Sequence, residues 1–160
     1  MKKKRSKTSR NTGHADVYVR FMDALDLRKS PPRKPREEVA GIVFLPRSID
    51  KLRAALPEGD LGPYTIAGFT EKMFEMLGIA LDDVTSVVRS SQSDAEVGAY
   101  VREHADPGSI DAWHVWISAR EPKNGNRVEA IAAYPFLADR PDLHLSLDVL
   151  EEDDRQTFAR

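Results

Sequence analysis

The segment Pro35-Arg36-Glu37-Glu38-Val39-Ala40-Gly41-Ile42-Val43-Phe44-Leu45-Pro46-Arg47-Ser48-Ile49-Asp50-Lys51-Leu52-Arg53-Ala54-Ala55-Leu56 decides how the chain folds. Pro35 suits the first turn of a helix, and Glu37 and Glu38 suit its N-terminus, where acidic side chains meet the positive end of the helix dipole. In helical projection Val39, Ala40, Ile42, Val43 and Phe44 spread around most of the circumference, so a helix buried on all sides is expected. Gly41 inside it costs about 1 kcal/mol relative to alanine, which points to the close approach of another backbone. Pro46 should break or kink that helix, and a second helical stretch runs from Arg47 to Leu56. Leu45, Ile49, Leu52 and Leu56 fall on one face of this stretch, with Arg47, Asp50 and Lys51 on the opposite one.

Toward the N-terminus, Pro31, Pro32 and Pro35 fix φ and forbid helix before residue 35, giving an extended Pro-rich arm that should lie across the domain surface. Val17, Val19 and Phe21 fit a strand, and Val17, Phe21, Ala24 and Leu25 fit a short helix, so that segment stays open. Residues 1–15 have almost nothing to bury and read as a disordered basic leader. Six cations and no acid fall in residues 1–10, leaving 18 basic against 26 acidic side chains, a net of −8, for residues 11–160. An acidic body argues against nucleic acid as its partner, so only residues 1–10 could touch phosphates.

Toward the C-terminus the punctuation is helical. Pro57, Gly59, Gly62 and Pro63 form a turn-rich loop that delivers Tyr64. Thr70 and Asp82 are expected to cap two helices, the second carrying Val84, Val87 and Val88, and Gly78 to stop the first. Ser93 and Glu96 form a capping box, and Ser109 is expected to cap a helix carrying Trp113 and Trp116 as core and core edge. Residues 143–150 alternate like a strand, yet Ser146 could start a C-terminal helix, which is preferred because no second strand is evident. Asp148, Glu151, Glu152, Asp153 and Asp154 read as a solvated end. The expected fold is mainly α: a compact single-domain bundle of short helices over residues 16–160 with an extended N-terminal arm.

Asp26-Leu27, Pro31-Pro32-Arg33, Pro35-Arg36, Gly41, Leu45-Pro46-Arg47, Asp50-Lys51, Arg53-Ala54, Gly62, Tyr64 and Phe74 through Leu77-Gly78-Ile79 together resemble a bacterial domain-of-unknown-function family, number 5069. The resemblance covers residues 25 to about 105 and is weaker over residues 109–160. It implies a mostly helical single domain and no activity.

At 160 residues and 41% apolar content, the chain can bury the core of one domain. It holds no cysteine, which excludes disulfides, thiolate nucleophiles and cysteine-ligated zinc, and suits a reducing cytoplasm. No apolar run approaches the roughly 20 residues that span a bilayer, so no membrane partner is expected. His104 and His114 match no metal or triad spacing and read as structural. No phosphate loop, nucleophile elbow or paired carboxylates appear, and no cofactor is implied.

The remaining candidate is a cationic site formed by Arg33, Arg36, Arg47, Asp50, Lys51, Arg53 and Tyr64. Arginine forks and an ammonium near the first turn of a helix could hold a carboxylate or phosphate, with Asp50 orienting Arg47. The plain alternative is a solvated helix face of local ion pairs. The leading expectation is therefore a non-catalytic binding or regulatory module for a small anion or an acidic protein segment. Its rivals are an enzyme acting on a small carboxylate or phosphate with Asp50 as acid or base, and nucleic-acid association through residues 1–10.

Overall fold

A computed structural model describes residues 23–159. The basic leader and the segment around Val17 and Phe21 lie outside them. The described residues form seven α-helices and one two-stranded antiparallel sheet. In chain order these are β1 (Glu38–Val39), β2 (Ile42–Val43), α1 (Leu45–Ala54), α2 (Phe69–Leu77), α3 (Leu81–Ser90), α4 (Asp94–His104), α5 (Ser109–Ala119), α6 (Arg127–Ala133) and α7 (Ser146–Phe158). Two short 3₁₀ turns, Pro122–Gly125 and Pro135–Asp139, flank α6.

The helix expected over residues 37–44 is instead a hairpin. Glu38 pairs with Val43 and Val39 with Ile42, across a turn in which Ala40 and Gly41 have φ of 52° and 72°. Two consecutive left-handed residues make the turn type that matches strand twist, and the β-branched residues on either side suit a ladder. The approach at Gly41 comes from a side chain and not a backbone, since a Cβ there would lie 2.8 Å from a guanidinium nitrogen of Arg102. Pro46 starts a helix and does not break one. It stands in the first turn of α1, where its missing N–H has no intrahelical acceptor to lose. Phe44 joins hairpin to helix at φ 74°, a left-handed conformation costly for an aromatic residue.

α1 packs against α3 and α4, and α2 against α5, around one apolar core. Phe44, Trp113 and Ile49 are fully buried there. The Trp113 indole donates to the Val43 carbonyl at 2.9 Å, while Nε2 of His114 accepts from the Val43 N–H at 3.1 Å. Thus α5 fixes both backbone groups of one β2 residue, and His114 has a structural role. Ala130, Leu137 and Val149 form a smaller cluster joining α6 to α7.

The capping predictions divide. At α4 the Ser93 side chain accepts from the Glu96 N–H, and Glu96 reaches back to the Gln92 N–H. Ser93→Ala should therefore cost about 1 kcal/mol in urea unfolding. Thr70 does not cap α2, whose capping position is Gly68; its buried hydroxyl lies 3.0 Å from that of Ser48 instead. Ala80, Gly108 and Leu145 take the capping positions expected of Asp82, Ser109 and Ser146. Among the described residues, no helix is long and apolar enough to cross a membrane.

Candidate functional site

The polar face of α1 is not solvated. Arg47 is 1%, Asp50 5% and Lys51 8% exposed. One turn of helix therefore buries three ionisable groups, a cost that paired charges can offset and an unpaired one cannot.

Two of the three groups are paired. Residues 30–36 cross α1 and bring Arg33 to Asp50: its backbone N–H donates to Oδ2 at 2.8 Å, and its Nη2 donates to Oδ1 at 2.9 Å. Arg33 also bonds Asp94 at the start of α4, tying the arm to two helices. Arg47 forms a fork with Asp154 of α7, Nη1 to Oδ2 at 2.6 Å and Nη2 to Oδ1 at 3.2 Å. Oδ1 of Asp154 also accepts from the Tyr64 hydroxyl at 2.7 Å. The Nε of Arg47 is buried without a hydrogen-bond partner. Asp154, read from the sequence as part of a solvated end, is thus the buried counter-charge of the site. Its place was legible: Leu147, Leu150 and Asp154 follow the i, i+3, i+7 spacing of one helix face.

Lys51 has no hydrogen bond or ion pair among the described residues. Its Nζ lies 5.8 Å from the ring centroid of Phe44 and 5.9 Å from that of Tyr64. Burial, then the charge of Arg47, pulls its pKa from about 10.5 down to about 8, with Asp154 acting the other way.

Lys51 and Arg47 line a cavity of about 290 Å³. Tyr64, Phe69 and Tyr134 supply its aromatic walls, and Leu150 and Asp153 come from α7. Burial raises the pKa values of Tyr64, Tyr134 and Asp153; the Asp154 carboxylate adds to each shift. The start of α2 also borders the cavity through Gly68 and Phe69, and no side chain caps that helix. A wider cavity of about 630 Å³ lies between the arm and α7, but its charged walls are matched: Lys34 pairs with Glu151, Arg155 with Glu152, and Arg47 with Asp154.

A family model described as "Domain of unknown function (DUF5069)" matches residues 29–156. The chain belongs to the DUF5069 family. The matched span of this DUF5069 domain includes residues 30–36 of the arm, α1, the Tyr64 loop and most of α7, and Arg47, Lys51, Tyr64, Phe69, Tyr134, Leu150 and Asp153 all fall within it. No curated protein matches the chain.

Of the seven residues proposed from the sequence, the fold gathers Arg33, Arg47, Asp50, Lys51 and Tyr64 into one network. Arg36 and Arg53 stand apart from it, Arg36 paired with Asp148 and Arg53 bonded to the carbonyl of Asp23. Sequence reasoning missed Asp153, Asp154 and Tyr134. Tyr134 follows α6 and precedes Pro135 with no periodic signal to mark it.

Proposed function

We propose that the DUF5069 domain binds a small organic carboxylate in the Tyr64–Tyr134 cavity, with the Lys51 ammonium as its principal cation. One observation carries this reading: Arg33 and Arg47 have carboxylate partners within the fold, whereas Lys51, only 8% exposed, has none among the described residues. A bound anion supplies the missing partner and offsets the burial of the ammonium. The uncapped start of α2 adds partial positive charge on the same cavity. The volume suits a small molecule better than a protein segment, and the aromatic walls favour a flat, apolar body. Asp50 is engaged by Arg33 and lines none of the cavities described, so acid–base chemistry at Asp50 is not favoured.

Benzoate is a suitable probe. It should give a saturable rise in melting temperature, as any ligand of the native state does. Benzyl alcohol, which keeps the ring and lacks the charge, should not, and Lys51→Met should abolish the benzoate effect. Equal responses to benzoate and benzyl alcohol, or an undiminished benzoate response in Lys51→Met, would overturn the reading.

A further inference from the structure

We propose that Lys51 captures the carbonyl carbon of a 2-oxo acid as an imine, with Asp153 carrying the protons exchanged. The inference rests on the carboxylate-binding reading and goes further by giving the ligand an electrophilic carbon.

Lysine amines become nucleophiles when they are desolvated or placed beside another cation. Both conditions hold here. Lys51 is only 8% exposed and lies near the rings of Phe44 and Tyr64, and the Arg47 guanidinium is close enough to lower its pKa. With a pKa of about 8, the neutral fraction at pH 7 is about 300-fold larger than for an ordinary lysine. Among the described residues the amine also has no acceptor or counter-ion to surrender before it reacts.

In the forward step the Nζ lone pair forms a C–N bond to the carbonyl carbon while the C=O π electrons move to oxygen. Oxygen gains a proton and nitrogen loses one, giving a carbinolamine. Proton donation to its hydroxyl expels one water as the nitrogen lone pair forms C=N. Nothing is oxidised or reduced, and hydrolysis reverses the sequence. Among the described residues Asp153 is the one carboxyl group on the wall of this cavity, which places it to exchange these protons, and burial shifts its pKa upward. A protonated imine keeps the positive charge of the ammonium. In a 2-oxo acid the carboxylate is attached directly to the imine carbon, so the ion pair survives the reaction. The uncapped start of α2 offers that carboxylate further support.

The test uses the full chain with phenylpyruvate and sodium cyanoborohydride at neutral pH, followed by peptide mass spectrometry. Lys51 should carry the reduced adduct at roughly tenfold or more the level of Lys29, Lys34, Lys72 and Lys123. Excess benzoate should suppress it. Asp153→Asn should slow adduct formation at Lys51 while leaving the labelling of Lys29, Lys34, Lys72 and Lys123 unchanged. An even spread over the lysines, with benzoate still raising the melting temperature, would overturn the imine and leave carboxylate binding standing. Absence of both benzoate binding and Lys51 labelling would overturn both.

Discussion

Lys51→Met is expected to stabilise the DUF5069 domain by about 2 to 3 kcal/mol at pH 7 while removing its affinity for benzoate. Replacing a buried side chain usually destabilises, so the sign is the informative part. The folded-state pKa of Lys51, about 8, lies below the ordinary value near 10.5. Between these values the unfolded chain binds more protons than the folded one, so stability rises with pH across that window. Below pH 8 both states are protonated and the full cost of burying the charge is present. The shift corresponds to about 3 kcal/mol, and the ring contacts with Phe44 and Tyr64 return about 0.5 to 1 kcal/mol of it. Methionine fits the same space without the charge. Urea unfolding of both proteins should therefore show the variant ahead at pH 7 and the gap closing toward pH 10. Tyr64 and Tyr134 also titrate at high pH, but they are present in both proteins and cancel from the difference. A Lys51→Met protein less stable than the parent at pH 7 would mean that the ammonium has a partner within the fold. The expected gain marks a residue kept at a cost in stability, as binding sites often require.

Asp154→Ala should have the opposite effect, destabilising by about 3 to 5 kcal/mol, because it leaves Arg47 charged, buried and without its carboxylate. The Tyr64 hydroxyl loses its acceptor in the same step. The size of this loss measures the orphaned charge and not the net worth of the pair. The double variant Arg47→Met with Asp154→Leu removes both charges and should recover most of the stability. Urea unfolding of the parent, Arg47→Met, Asp154→Leu and the double variant forms the cycle that separates these contributions. If the double variant is no more stable than Asp154→Ala, the loss comes from packing at α7. Losing Asp154 also removes a nearby negative charge from Lys51, so the lysine pKa should fall further in that variant.

These opposite expectations for neighbouring side chains could not be drawn from the sequence alone. The spacing of Arg47, Asp50 and Lys51 against Leu45, Ile49, Leu52 and Leu56 did set the two faces of α1. What it lacked was the cover. Arg47 meets a carboxylate 107 positions away, and local periodicity carries no information about such a pairing. Asp154 itself could be placed on the apolar stripe of α7, but in a run of four consecutive acids that position looks like one solvated charge among several. The hairpin is hidden in the sequence for a different reason. An apolar run as short as Ile42-Val43-Phe44 has no period of its own, and the decisive signal was the Ala40-Gly41 turn between β-branched residues. The helices after Gly78 were legible because their apolar spacing and their glycine or proline stops agreed, even where the capping residue differed.

The Lys51→Met, benzoate and imine expectations depend on Lys51 being a buried cation whose partner comes from outside the fold. Its pKa can be read directly by NMR titration of the lysine side-chain resonances, with and without benzoate. The expected result is a Lys51 pKa near 8 in the free domain and a clear rise when benzoate is present. A pKa at the ordinary lysine value in the free domain, unmoved by benzoate, would contradict it.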